Sequence, residues 1–116
     1  MDNANVTGSH WTGAIVGYLS GEISGCTVTN SSVVCTNKNS EANGDKAGLI
    51  TGYINGEQGT VTNCTGSNST VQAYRDAGQL VGAAKSTQVS GCTATNVAVT
   101  GTGGGNIRNE VIGRLL

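Results

Sequence analysis

Four cysteines, one histidine, three aspartates and four glutamates are the side chains of this 116-residue chain that could ligate a metal, attack a carbonyl or move a proton. Their spacing argues against each of these. Zinc sites use Cys-x-x-Cys pairs or Cys and His clusters, and the chain has neither. Cys26, Cys64 and Cys92 instead recur at one position of a repeated block, 38 and 28 residues apart. Cys35 stands elsewhere, where later copies carry Ala73 and Gly101. Three stacked thiols are expected to be small buried apolar side chains rather than a disulfide or metal column, because parallel Cβ vectors suit disulfide geometry poorly. Acid–base catalysis needs convergent carboxylates or a placed histidine. Asp45, Asp76, Glu22, Glu57 and Glu110 are expected near loops or on outward positions. No acidic position recurs from copy to copy, so a calcium-dependent lyase site has no ligand set. No catalytic, cofactor or metal site is expected.

Binding residues are easier to nominate. Thr27, Thr29, Thr65, Thr93 and Thr95, with Ser67 between, would form outward rows, the arrangement an ice-binding surface uses. Strand propensity alone also accounts for them, and Gly66 interrupts the middle row. Trp11 is the candidate aromatic for stacking on a sugar or for covering an open end. His10-Trp11, Asp45-Lys46 and Arg75-Asp76 occupy equivalent sites and are expected at one solvated corner. Asn3, Asn30, Asn68 and Asn96 are expected to stack as an amide ladder, inward or at a corner. The sequons at Asn5, Asn30, Asn63 and Asn68 are expected by chance in so Asn- and Thr-rich a chain. Gly101-Thr102-Gly103-Gly104-Gly105 lacks the Lys-Ser/Thr of a phosphate loop and reads as a connection.

What must position these residues is a repeat. Gly13-Ala14-Ile15-Val16-Gly17-Tyr18 aligns with Gly48-Leu49-Ile50-Thr51-Gly52-Tyr53 and with Gly78-Gln79-Leu80-Val81-Gly82-Ala83. A weaker copy is Asn109-Glu110-Val111-Ile112-Gly113-Arg114. The second glycine recurs at spacings of 35, 30 and 31. A second block carries an apolar residue three before Cys and Asn four after it, with Val33, Val71 or Val99 three further on. Within the glycine block, positions 15, 17 and 19 and their counterparts hold small or apolar residues between variable ones, which predicts a strand with one buried face. Length variation at 37–44 and 56–59 predicts loops. No segment has a helical period.

Units of roughly thirty residues that cannot bury their own face are stable only when stacked. The expectation is therefore an all-β parallel β-solenoid, or β-helix, of about three and a half turns. It forms one domain over 1–116: a partial repeat at 1–10, repeats at 11–44, 45–74 and 75–105, and a partial repeat at 106–116. The composition agrees. Gly, Thr, Asn and Ser fill nearly half of the chain, with no Phe and no Pro. A thin interior has no room for Phe, and an interior Pro would break a ladder bond. Only 11% of residues are charged and the net charge is −1, against about 25% charged in ordinary domains. That balance offers no electrostatic footprint for nucleic acid. No apolar stretch approaches a membrane span, and no leader peptide is read at the start, so membrane insertion is not expected.

The Gly-apolar-apolar-Gly-Tyr block followed by Cys-Thr-x-x-Asn resembles GLUG-type repeats over about residues 11–113. Thr51 before Gly52, Ala83 in place of Tyr, and the missing first glycine of the fourth copy depart from that pattern. The resemblance implies a secreted or surface-attached bacterial protein of adhesin type, extracellular or on the cell surface. The expected function is a non-enzymatic structural or adhesive module, with neighbouring repeats of a longer chain, identical subunits, or a host glycan or protein as partners. The alternatives are a filament subunit stacking through Val111, Ile112, Leu115 and Leu116, and an ice-binding solenoid. Joining Leu116 to Met1 leaves four steps from Leu115 to Asn3, where Leu19 to Asn30 takes 11. Excision from a longer array is accordingly expected over stacking.

Overall fold

The computed structural model describes residues 1–36, 46–54, 56–103 and 106–116. The expected loop at 37–44, Asp45, and Gly104 and Gly105 of the glycine connection lie outside the described residues. The chain first forms β1 (Asn5–Gly8), β2 (Trp11–Gly13), β3 (Val16–Leu19), β4 (Glu22–Ser24), β5 (Thr27–Thr29) and β6 (Ser32–Cys35). Next come β7 (Lys46–Gly48), β8 (Thr51–Ile54), β9 (Thr60–Thr62) and β10 (Thr65–Ala73). The third passage holds β11 (Asp76–Ala77), β12 (Val81–Ala84), a short 3-10 turn at Ser86–Gln88, β13 (Val89–Ser90) and β14 (Thr93–Gly101). Then follow β15 (Asn106–Ile107) and β16 (Ile112–Leu115).

These strands form four sheets, in the orders β1-β6-β10-β14 (with β5 also on β10), β15-β11-β7-β2, β16-β12-β8-β3 and β13-β9-β4. The pairing is parallel throughout, and like residues meet. Val6, Val33, Val71 and Val99 stand opposite one another in turn, as do Ile23, Val61 and Val89. Tyr18, Tyr53, Ala83 and Arg114 form a third column. Each column joins positions that the sequence alignment makes equivalent, and parallel neighbours lie about 4.8 Å apart.

The glycine blocks are not the single half-buried strands that their alternation predicts. Residues 14–15, 49–50 and 79–80 lie outside the strands, between one sheet and the next. Leu49, Ile50, Thr51, Leu80 and Val81 are all fully buried. Each block is a corner, and the corners stack by backbone bonds: Ala14 N donates to Leu49 O at 3.0 Å and Ile50 N to Leu80 O at 2.8 Å. The glycines explain the shape. A Cβ on Gly17 would lie 2.5 Å from Trp11 O, and one on Gly52 would lie 2.5 Å from Thr12 N. Two sheets therefore approach until only a hydrogen fits between them.

The interior beside this pinch is aliphatic. Val28, Val33, Ile54, Val61 and Val71 are buried with Leu49, Ile50 and Leu80, and a fully buried Val or Leu contributes about 1.5–3 kcal/mol.

Candidate functional site

Two surfaces gather the residues with recognition chemistry. The first lies where Trp11, Lys46 and Asp76 stand opposite one another on β2, β7 and β11. These positions were expected at a solvated corner, and the structure corrects this. Lys46 is 1% exposed and Asp76 2%, with Nζ donating to Oδ2 at 2.9 Å. Arg114 Nη1 approaches the same oxygen at 3.5 Å. The Tyr18–Tyr53–Ala83–Arg114 column covers this row, so the charges lie beneath it and out of water. Removing ions from water is tolerated only when they are paired this closely.

Trp11 sits at the edge of the same cluster. Its ring centroid is 5.0 Å from Tyr18 and 5.7 Å from Tyr53, and Lys46 Nζ lies 5.2 Å from the Tyr53 centroid. Trp11 was expected to stack on a sugar or to cover an open end, and its ring is half-buried. Among the described residues its Nε1 is buried without a hydrogen-bond partner. The open ring is Tyr18, 42% exposed.

The second surface is built on backbone conformation. Asn3, Asn30, Asn68 and Asn96 have φ of 56°, 51°, 50° and 54°. This is the left-handed region that Asn tolerates better than other side-chain-bearing residues. Each bends the chain between two strand segments, and all four are exposed. The amide row is thus at an outward corner and not inside. Asn96 Nδ2 donates to Asn68 Oδ1 at 2.9 Å, and Asn30 Nδ2 donates to Asp2 Oδ1 at 3.0 Å. Thr29 Oγ1 donates to that same oxygen at 2.7 Å. The Thr29 and Asn30 bonds hold the Asp2 carboxyl below its ordinary 3.8.

Behind the corner is a device the sequence reading missed. Ser31 and Ser69 are buried, and their hydroxyls donate to Thr29 O and Ser67 O, both at 2.8 Å. Ser69 Oγ also accepts from Ser31 N at 2.9 Å, and Ser31 Oγ from Ala4 N at 3.1 Å. Each serine therefore ties its corner to the neighbouring one. The signal available was Ser following Asn at 31 and 69. A further left-handed column, Gly25, Asn63 and Gly91, directly precedes Cys26, Cys64 and Cys92 and was likewise overlooked.

The threonine rows are in register, Thr27–Thr65–Thr93 and Thr29–Ser67–Thr95. Thr65 Oγ1 donates to Thr27 Oγ1 at 3.2 Å, so part of the row is satisfied internally. Thr27, Thr65, Thr93 and Thr95 are exposed, and Thr29 and Ser67 half-buried. Of the aligned cysteines, Cys64 is buried while Cys26 and Cys92 are half-buried, and Cys35 Sγ donates to His10 O at 2.7 Å. Burial pushes the Cys64 thiol above its ordinary 9.0. Val111 and Ile112 are half-buried, while Leu115 and Leu116 are 52% and 48% exposed. Val111, Ile112 and Leu115 line a cavity of about 320 Å³ with Val89 and Cys92. No helix among the described residues is long and apolar enough to cross a membrane. No protein-family model matches the chain, and comparisons with curated proteins and with solved structures return no match.

Proposed function

We propose that the chain is a β-solenoid segment of about three and a half turns with repeats of roughly thirty residues, similar to GLUG-type repeats. It serves as a non-enzymatic structural or adhesive module of a bacterial secreted or surface protein. The observation that carries this reading is the parallel register, which sets Val on Val, Tyr on Tyr and Thr on Thr between copies. A stack of this kind presents side chains at fixed intervals along one axis, so many weak contacts can act together.

Two experiments test the two halves. Duplicating residues 45–74 in tandem adds one turn, and small-angle scattering should then show a particle longer by about 4.8 Å. An unfolded or unlengthened product would defeat the solenoid. Beads coated with the chain should be retained on mucin-coated surfaces above uncoated beads, and equal retention would remove the adhesive role. A second reading, self-association through the face carrying exposed Leu115 and Leu116, predicts light scattering that rises with concentration faster than in proportion.

A further inference from the structure

We infer that the asparagine corner is a binding groove for a neutral linear polysaccharide, which deepens the adhesive reading and rests on it. A groove of about 450 Å³ runs beside the corner, lined by Asn30, Asn68, Asn96, Ser32, Thr70 and Asn5 with their neighbours. It crosses β1, β6, β10 and β14, so its polar groups recur once per strand, about every 4.8 Å. No charged side chain is among its described lining residues.

The amides are set in place before any ligand arrives. Their backbones are fixed in the left-handed region, and the buried Ser31 and Ser69 hydroxyls lock the corners to one another. Little ordering is left to be done on binding. Each primary amide has two N–H donors and two acceptor lobes. The Asn96–Asn68 contact takes one donor and one acceptor. Asn30 gives one donor to Asp2, and the three exposed amides share the groove lining with Thr70 and Ser32.

Three chemistries can be compared with this lining. Nucleic acids and other polyanions need cations, and the lining has none, while the Asp2 carboxylate sits against Asn30 at one end. A lipid or an apolar helix needs an apolar floor, whereas Ala98 is the one apolar side chain among the nine described lining residues. A chain of hydroxyl groups, each both donor and acceptor, complements alternating amides and hydroxyls without charge. The neutral polysaccharide is the ligand class that fits.

The test uses the full chain and its Asn30→Gly/Asn68→Gly/Asn96→Gly variant. Glycine adopts positive φ without strain, so the variant loses the amides and keeps the backbone, which circular dichroism verifies. Both are run in native gels containing dextran, mannan, xylan or hydroxyethyl cellulose in turn. The inference expects the wild-type chain to be retarded by at least one of these, with apparent affinity lower by about tenfold or more in the variant. Equal retardation of the two proteins would overturn the groove while leaving adhesion standing. A wild-type chain that no polysaccharide retards would also overturn it, and the mucin-bead result then judges the adhesive reading separately.

Discussion

At the scale of single residues, asparagine does the work that most folds give to glycine. Asn68 at φ 50° holds a bend that alanine resists, and a side chain other than Asn or Asp costs roughly 1–2 kcal/mol there. Asn68→Ala should lower stability by about that amount in urea unfolding, whereas Asn68→Gly should stay within about 0.5 kcal/mol of the parent. Equal losses would mean that the amide bond to Asn96, and not the backbone, sets the cost. Asp2 makes a second prediction. Its carboxyl is held below 3.8 by Thr29 and Asn30, so protonation weakens the folded state. That contribution is whole above pH 3.8 and disappears as pH falls through the lower, folded value. Carboxyl NMR should find the Asp2 midpoint under 3.8 in the parent and closer to 3.8 in Thr29→Val. The asparagine positions were legible from their equal offsets to cysteine. Which way their side chains faced was not, because a spacing of four from Cys gives register and says nothing of inside or outside.

Among elements, the informative unit is the glycine corner. Its alternating apolar pattern looks like a strand because every second residue is small or aliphatic. The corner buries Leu49 and Ile50 alike, since both sides of the bend face packed sheet. Periodicity cannot separate a two-sided corner from a one-sided strand; only the approach of backbone to backbone at the second glycine does so. Gly52→Ala places a Cβ 2.5 Å from Thr12 N, where backbone must move. It should destabilise by about 1–3 kcal/mol. A Cβ on Gly21 meets nothing within 4 Å, so Gly21→Ala should change stability by no more than about 0.5 kcal/mol. Thermal unfolding of the pair measures both, and a harmless Gly52→Ala would show that the sheets are less tightly apposed.

For the whole molecule, parallel sheets that pair like residues raise a question of register that the aliphatic interior does not answer by itself. Valine over valine fits equally well after a slip by one copy. The buried Lys46–Asp76 pair reduces that degeneracy, because the two are neighbours in the row Trp11, Lys46, Asp76 and any slip that separates them leaves each buried charge beside a neutral residue. Lys46→Met removes the lysine partner of a buried carboxylate and should cost about 3–5 kcal/mol, while Lys46→Met/Asp76→Leu should recover most of that loss. Denaturant midpoints and m-values decide it; a double variant as weak as the single would mean that the pair matters for more than its charge. Sequence reading placed both residues at one repeat position and still expected them in water, since an isolated Lys or Asp is seldom buried. Their burial depends on the tyrosine column above, which only the assembled sheets bring into place. The same arrangement has an optical consequence. Trp11, Tyr18 and Tyr53 are three of the four aromatic residues in the chain, and they touch one another on the edge strands β2 and β3 and their neighbour β8. Light absorbed by either tyrosine passes to the indole, so fluorescence reports this one corner while circular dichroism reports every strand. Coincidence or divergence of the two signals during unfolding would reveal whether the stack melts as one body or peels from that edge.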